Sequence, residues 1–404
     1  MADKIRRAWW GTAALFLVHG LVVSTWVSRI PAIQSGLHLG NGVLGLALLA
    51  TALGAVSTIP VAGWAVTRYG SKKVTTAASI AFCLSLSLPA LAVNAFSLGC
   101  ALFVFGGLAA AMDVSMNAQG VEVEKALRNP TMSRFHGMFS LGGMIGAAAG
   151  GGIASRGVGA LPHFAVSGLA NAFAIGAVAA LLLETHAAAD AGTEHRLPLR
   201  KMPRVLLALS AIAFCILLAE GAIADWTAVY LRQVLKAGPG MAAAGYAVFS
   251  AAMAVFRFLG DAVTARLGPS LTLRTGGLVA AAGLLTAMCA FSAGWSLPGF
   301  ALAGAGFSVI IPLVFGSGGR VEGISPGAGI ATVTGIGYAG FIVGPPAIGF
   351  VSQLVTLRYA LGIVVACCLI SALLARSVDR LAHSPSFPDI PPPGSAGPAS
   401  GLYT

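Results

Sequence analysis

The sequence contains the stretch Gly137-Met-Phe-Ser-Leu-Gly142-Gly-Met-Ile-Gly146-Ala-Ala-Ala-Gly150-Gly151. The spacing of four of its glycines, Gly137, Gly142, Gly146 and Gly151, is repeated 198 residues later. The later copy has four glycines at the same three intervals: Gly335, Gly340, Gly344 and Gly349. Trp26 and Gly45 are matched, with the same spacing, by Trp226 and Gly245, which lie 200 residues later. Glycine is abundant in this chain, but several matches in register indicate an internal duplication.

The composition is that of an integral membrane protein. Of the 404 residues, 57% are hydrophobic and only 9% are charged, whereas charged residues make up about 25% of an average soluble domain. These values exclude a soluble globule, and they exclude disorder, which needs few apolar and many charged residues. The net charge of +11 does not predict nucleic-acid binding here, because the basic residues separate apolar blocks. The six cysteines lie inside those blocks, so we interpret them as small hydrophobic residues.

Twelve apolar blocks are long enough to cross a bilayer as helices, which takes about 20 residues. The first follows Lys4, Arg6 and Arg7, but it is too long for a signal peptide and lacks a cleavage pattern. We therefore predict an all-α protein with these twelve spans: 8–34, 41–67, 73–94, 97–121, 133–155, 160–184, 204–231, 240–265, 271–293, 297–319, 327–353 and 356–376.

The basic residues predict the orientation, because Lys and Arg concentrate in cytoplasmic loops. Eighteen of the 24 fall on the side of the two termini and five on the other side, while Arg257 lies within a span. We therefore expect both termini in the cytoplasm.

The polar interruptions predict the domain organisation. We expect an N-terminal six-helix half (1–184), a cytoplasmic linker (185–203), a C-terminal six-helix half (204–382) and a disordered cytoplasmic tail (383–404). The tail contains six of the 20 prolines, which is typical of segments without a packed core.

Two loops resemble the signature loop of the major facilitator superfamily. The first reads Gly63-Trp-Ala-Val-Thr67-Arg68-Tyr-Gly70-Ser-Lys72-Lys73, with Thr67 at the usual acidic position, and the second is a degenerate copy with Gly260-Asp261 and Arg266-Leu-Gly268. The resemblance implies two six-helix bundles related by a pseudo-twofold axis along the membrane normal. It also implies a cytoplasmic gate that includes Arg68, Lys72, Asp261 and Arg266. The alternative is a purely topological anchor.

A second resemblance rests on two stretches, Asp113-Val-Ser-Met-Asn117-Ala-Gln119-Gly-Val-Glu122-Val-Glu124 and Met132-Ser-Arg-Phe-His-Gly137, together with Gly340-Phe-Ile-Val-Gly344-Pro-Pro346. These resemble a bacterial subfamily that includes rhizopine-transport-type membrane proteins. That resemblance implies a location in the inner membrane of a bacterium and a small polar substrate, such as a sugar, a cyclitol or an amino-sugar-like compound. Span 5 lacks the Gly-Pro pair of drug-exporting relatives, which weakens an export function without removing it.

Ionisable residues within a span are costly, so each is a functional candidate. Glu220 lies near mid-depth of span 7, and the alignment of Trp26 with Trp226 puts His19 within one residue of its counterpart. Because the superfamily resemblance implies that spans 1 and 7 line the cavity, we expect Glu220 and His19 to face each other. A carboxylate in a partly dehydrated cavity can exchange a proton near neutral pH, which suits proton coupling or substrate contact. The alternatives are a structural carboxylate and a packing histidine.

Asp113 and Asn117 are one helical turn apart and share a face of span 4. Asp113 is a candidate second proton carrier or substrate ligand; otherwise it pairs with a neighbouring helix, for example through Arg134. Arg257 and Asp261 have the same spacing, and we interpret them as a structural pair.

Arg29 and Asp225 lie near the outer ends of spans 1 and 7 and have opposite charges. We predict that they form a periplasmic gate salt bridge when the cavity opens inward. Three aromatic residues, Trp26, Trp226 and Tyr338, either line the cavity and stack on substrate or anchor helix ends at the membrane interface.

The sequence therefore favours a twelve-helix secondary transporter that moves a small polar solute by alternating access, with protons and membrane lipid as further partners. A proton-driven exporter of a drug or toxin is the alternative within the same class. An enzyme is disfavoured because we find no clustered nucleophile or metal set, and we predict no cofactor. The superfamily resemblance implies a monomer.

Overall fold

The computed structural model describes residues 2–129, 131–184 and 202–378, and these residues are helical with short connections. The predicted linker lies outside the described residues except for 202–203, and the predicted tail lies wholly outside them. Twelve candidate membrane spans occur in the described chain, which confirms the predicted all-α membrane fold.

Seven α-helices form the first half of the molecule: α1 Ala2–Val27, α2 Ile30–Gly36, α3 Asn41–Tyr69, α4 Ser71–Ser85, α5 Ala95–Leu127, α6 Met132–Ser155 and α7 Ala160–Val178. Eight form the second half: α8 Arg204–Gln233, α9 Pro239–Leu267, α10 Pro269–Cys289, α11 Ala293–Phe307, α12 Ile310–Gly318, α13 Pro326–Leu354, α14 Leu357–Ala360 and α15 Gly362–Leu374. Spans 1, 10 and 12 each contain two of these helices.

The repeated glycines have the same function in both halves. A Cβ atom on Gly142 of α6 would collide with the carbonyl oxygen of Leu17 in α1. A Cβ on Gly340 of α13 would collide with the carbonyl oxygen of Phe214 in α8. Glycine at these positions lets two helix backbones touch, which is the usual reason for small residues between membrane helices.

The two halves contact each other along two seams. In the first, α6 packs on α9: Gly151 lies on Ala243, Gly143 on Ser250 and Gly137 on Phe258. In the second, α3 packs on α13, and a Cβ on Gly45 would stand 2.6 Å from the carbonyl oxygen of Pro345. We call the membrane face at which α1 begins the terminal face and the opposite face the distal face. Gly45 lies early in α3 and Pro345 late in α13, so this second contact lies toward the distal face.

Span 1 is broken, which the sequence did not predict. Helix α1 ends at Val27, and α2 begins at Ile30, with a proline in its first turn. The residue before a proline disfavours the helical conformation, and the proline itself lacks the amide proton that a continuous helix needs. The break changes the direction of every side chain from Ser28 onward relative to a continuous helix.

Candidate functional site

An ion pair joins α8 and α9, two helices of the second half that face the first half. Arg257 Nη2 of α9 is 3.7 Å from Glu220 Oε1 of α8, with side chains 10% and 23% exposed. Arg257 Nη1 donates hydrogen bonds to the carbonyl oxygen of His136 at 3.2 Å and to Ser140 Oγ at 3.0 Å, both in α6. One guanidinium therefore holds a carboxylate of the second half and joins it to the first half.

A second polar group comes from α5 and α13. Asn117 Nδ2 donates to the backbone carbonyl of Asp113 at 2.8 Å and to its carboxylate oxygen at 3.1 Å, so the two residues share a face as predicted. Tyr338 of α13 is partly exposed. Arg134 is exposed, and no ion pair joins it to Asp113 in the described chain.

His19 lies in an aromatic environment within the first half. Its ring makes edge contacts with Phe82 and Phe139, with centroids 5.2 and 5.4 Å apart, and only 7% of the residue is exposed. Its Nδ1 atom is buried without a hydrogen-bond partner in the described chain. The charged partner of Glu220 is Arg257, and His19 has the environment of a packing residue.

The two repeated tryptophans lie in the cores of their halves. Trp26 is 3% exposed and lies 6.3 Å from the rings of Phe105 and Phe164, measured between centroids. Trp226 is fully buried. Neither ring presents a surface to a solute in this conformation. Of the three aromatic candidates, Tyr338 alone has a partly exposed side chain.

The predicted ion pair between Arg29 and Asp225 is not formed in the structure. Arg29 is buried and donates from Nη2 to the backbone carbonyl of Val158, and no carboxylate of the described chain lies within 4.0 Å of it. The cause is the break in span 1: the prediction assumed a continuous helix, whereas Arg29 falls between α1 and α2. The α6–α7 loop binds the guanidinium.

Amides join the halves at the distal face instead. Gln233, the last residue of α8, donates from Nε2 to Gln34 Oε1 at 3.0 Å and to Asn41 Oδ1 at 3.1 Å. Asn41 Nδ2 donates to Gln233 Oε1 at 3.2 Å. Gln34 Nε2 also donates to Asn41 Oδ1 at 2.8 Å within the first half. Because these side chains span the seam, the distal face is closed.

The signature loops lie at the terminal face. Lys72 Nζ is 3.5 Å from Glu184 Oε1, at the end of the first half, and the exposed Arg68 lies over the ring of Tyr69 at 5.9 Å. Arg266 is exposed, and the side chain of Asp261 lies outside the described residues. Gln119 holds the first loop in place, because its Nε2 donates to Ser71 Oγ and to the carbonyl of Leu183, both at 2.8 Å.

Sequence reasoning missed Arg257 and the distal amides as functional residues. A signal for Arg257 was available, because an arginine inside a span is as costly as the glutamate that the same rule selected. Its pairing with Glu220 depends on the rotation of α9 against α8, which one sequence does not contain. The amides carry no charge and lie at span ends, where polar residues are ordinary.

Comparison with known proteins agrees with this architecture. A family model described as Major Facilitator Superfamily matches residues 11–320. The chain belongs to the major facilitator superfamily. An uncharacterized MFS-type transporter of Yersinia pestis is 35% identical over 373 residues, which cover 91% of this chain and 95% of that protein. Membrane protein MosC of Rhizobium meliloti is 31% identical over 367 residues, which cover 90% of this chain and 88% of that protein.

Solved structures of superfamily members have the same fold. A bacterial homolog of the human lysosomal transporter Spinster, inward-facing and unoccupied, superimposes with a TM-score of 0.74 at 15% identity, covering 96% of this chain and 100% of that one. FucP in the outward conformation gives a TM-score of 0.60 at 19% identity, covering 91% and 97%. The superfamily predicted from the signature loops is confirmed, and membership supports a secondary transporter rather than an enzyme.

Proposed function

We propose that this superfamily member is a proton-coupled transporter that moves a small polar organic solute by alternating access across the inner membrane of a bacterium. The observation that carries the proposal is the ion pair of Glu220 and Arg257. It is partly exposed, it lies inside the membrane-spanning region, and Arg257 also binds α6 of the other half.

The ion pair gives a physical route from protonation to movement of the halves. When Glu220 accepts a proton, it loses the negative charge that faces Arg257, so the guanidinium loses its counter-ion. An arginine stays charged and must find other acceptors inside the membrane. Because Arg257 also joins the two halves, the charge of Glu220 influences how firmly α6 and α9 are held together.

Asp113, Asn117 and Tyr338 supply the solute site in this proposal. They offer a carboxylate, an amide and a phenol from two halves of the molecule, and all three are partly exposed. Such groups suit a ligand with several hydroxyl or amino groups, because each ligand group finds a directional partner. A lipophilic cation would find few apolar walls among these three residues.

The excess of Lys and Arg at the terminal face supports placing that face in the cytoplasm. With that orientation the distal face, where the amides join the two halves, is periplasmic. Both termini then lie in the cytoplasm, and the transporter acts as a monomer.

The test is proton movement in proteoliposomes that contain a pH-sensitive dye. Cyclitols, amino sugars, sugars, amino acids and lipophilic cations are added outside in turn, with the wild type, Glu220→Gln and Glu122→Gln. We expect a polar solute to acidify the lumen of wild-type and Glu122→Gln vesicles, but not of Glu220→Gln vesicles. Glu122 is the matched control, because it pairs with Lys125 at an exposed position.

Two results would overturn parts of the proposal. A response to lipophilic cations alone would replace the polar-solute function with export of a drug or toxin. A response to a polar solute that survives in Glu220→Gln would remove proton coupling through the ion pair.

A further inference from the structure

We infer that Gln34, Asn41 and Gln233 are positioning residues that set the balance between the closed and the open distal face. We call these three residues the amide latch. The inference rests on the alternating access of the proposed function, but its test needs neither a solute nor a proton gradient.

All the hydrogen bonds that cross the seam within the latch depend on one residue. Gln233 of the second half makes three of them, two as donor through Nε2 and one as acceptor through Oε1. The fourth bond of the latch joins Gln34 to Asn41 within the first half. Separating the halves therefore breaks the three bonds of Gln233 and leaves the pair in the first half intact.

The latch is partly shielded from water, because Gln34 is buried while Asn41 and Gln233 are partly exposed. Gln34 is 4% exposed. Gly42 and Gly45 of α3 have no side chains, so the end of α13 packs directly on α3. A Cβ atom added to Gly42 would lie 2.6 Å from Gln353 Oε1, and one added to Gly45 would lie 2.6 Å from the carbonyl oxygen of Pro345. Hydrogen bonds between neutral groups are stronger electrostatically in such a partly dehydrated environment than in water.

The latch carries no charge, so it differs physically from a salt-bridge gate. Its strength does not depend on ionic strength, because salt screens charges and leaves neutral hydrogen bonds unchanged. Arg29, which the sequence predicted as an ionic gate, is bound to the carbonyl oxygen of Val158 within its own half. A closed distal face that is stable at high salt therefore distinguishes the amide latch from an ionic gate.

The experiment is hydrogen–deuterium exchange of the purified full chain in lipid nanodiscs. The readout is the exchange rate of the first turns of α3 and the last turns of α13, which become accessible when the distal face opens. Each neutral hydrogen bond contributes a factor of roughly 2 to 10 to an equilibrium. We therefore expect Gln34→Leu to raise the open population about fivefold and Gln233→Leu to raise it by at least tenfold.

Gln353→Leu is the matched control. It removes a side-chain amide that lies at the same seam but makes no hydrogen bond in the described chain. We expect its exchange to equal that of the wild type, and we expect wild-type exchange to be unchanged between 50 and 500 mM salt, over which screening grows severalfold. Size-exclusion profiles verify that each variant is folded. If Gln233→Leu does not fold, Gln34→Leu provides the test.

Unchanged exchange in the two latch variants would overturn the inference, as would opening of the wild-type distal face by salt. An equal effect of Gln353→Leu would show that general packing, rather than the hydrogen bonds of Gln233, holds the seam. None of these results bears on whether Glu220 couples protons, so failure of the latch and failure of the proposed function are distinguishable.

Discussion

Gly70 and Gly268 lie 198 residues apart and have nearly the same backbone conformation, with φ 85° and ψ 147° at the first and φ 77° and ψ 160° at the second. Each ends the second long helix of its half and begins the third. This conformation is essentially restricted to glycine, since a Cβ atom would collide with the backbone. The duplication thus preserves a turn whose geometry only glycine fits.

Alanine at Gly70 or Gly268 should therefore destabilise the protein by about 1–3 kcal/mol, the usual cost of a residue in such a region. Thermal unfolding of the purified variants, followed by tryptophan fluorescence, measures the effect as a lower unfolding temperature. Gly63→Ala is the control, because Gly63 lies in the same helix and nothing lies within 4 Å of an added Cβ. Equal unfolding temperatures in all three variants would contradict the prediction.

The contacts between helix backbones predict a second pair of matched effects. Gly142→Ala should force α6 away from α1, and Gly340→Ala should force α13 away from α8. In both variants the added methyl group meets a backbone carbonyl that cannot rotate away. Overpacking of this kind costs about 1–3 kcal/mol. Gly176→Ala, where nothing lies within 4 Å, should leave the unfolding temperature unchanged or raise it slightly. The prediction fails if Gly176→Ala is as damaging as the other two.

Arg257→Met should lower the unfolding temperature and abolish solute-dependent proton movement. The substitution leaves Glu220 without its cation and removes two hydrogen bonds to α6. Because the pair is partly exposed, we expect the free energy of unfolding to fall by about 2 kcal/mol. The double variant Glu220→Gln/Arg257→Met should recover part of the stability, because it no longer holds an unpaired carboxylate. If the double variant is less stable than both single variants, the two residues do not act as a pair.

Glu124 stabilises the beginning of α6. Its Oε2 accepts hydrogen bonds from the backbone amides of Thr131 at 2.7 Å and Met132 at 3.0 Å. Losing a side chain that satisfies free amides at a helix start costs about 1 kcal/mol, so Glu124→Ala should lower the unfolding temperature. Glu122→Ala should have a smaller effect, because its pair with Lys125 is exposed and such pairs contribute little. The reverse order would contradict this assignment.

The sequence predicted the features that depend on hydrophobicity and spacing. Twelve spans and the glycine repeat follow from local composition, and the structure contains both. The breaks in spans 1, 10 and 12 were missed, because the hydrophobicity of a block gives no indication of where its backbone bends. Pro31, just after the start of α2, was a signal for the first break, and Pro312, two residues after the start of α12, was a signal for the second.

The candidate site was predicted residue by residue but not as an arrangement. Glu220, Asp113 and Asn117 were selected because polar groups inside a membrane need a reason. Which cation faces Glu220, and which way Arg29 turns, depend on helix rotation and on the break before Ile30. Those are properties of tertiary packing, so the pairs Glu220–Arg257 and Gln34–Gln233 were visible only in the structure.

Gln119 has a consequence for how the protein is made. Its amide binds Ser71 and the backbone of Leu183, so the last residues of the first half are fastened within that half. We therefore expect the first half to pack on itself before the second half is made, with the glycine face of α6 free to receive α9. Co-expression of residues 1–190 and 191–404 as two polypeptides should accordingly yield an assembled transporter that purifies as one particle.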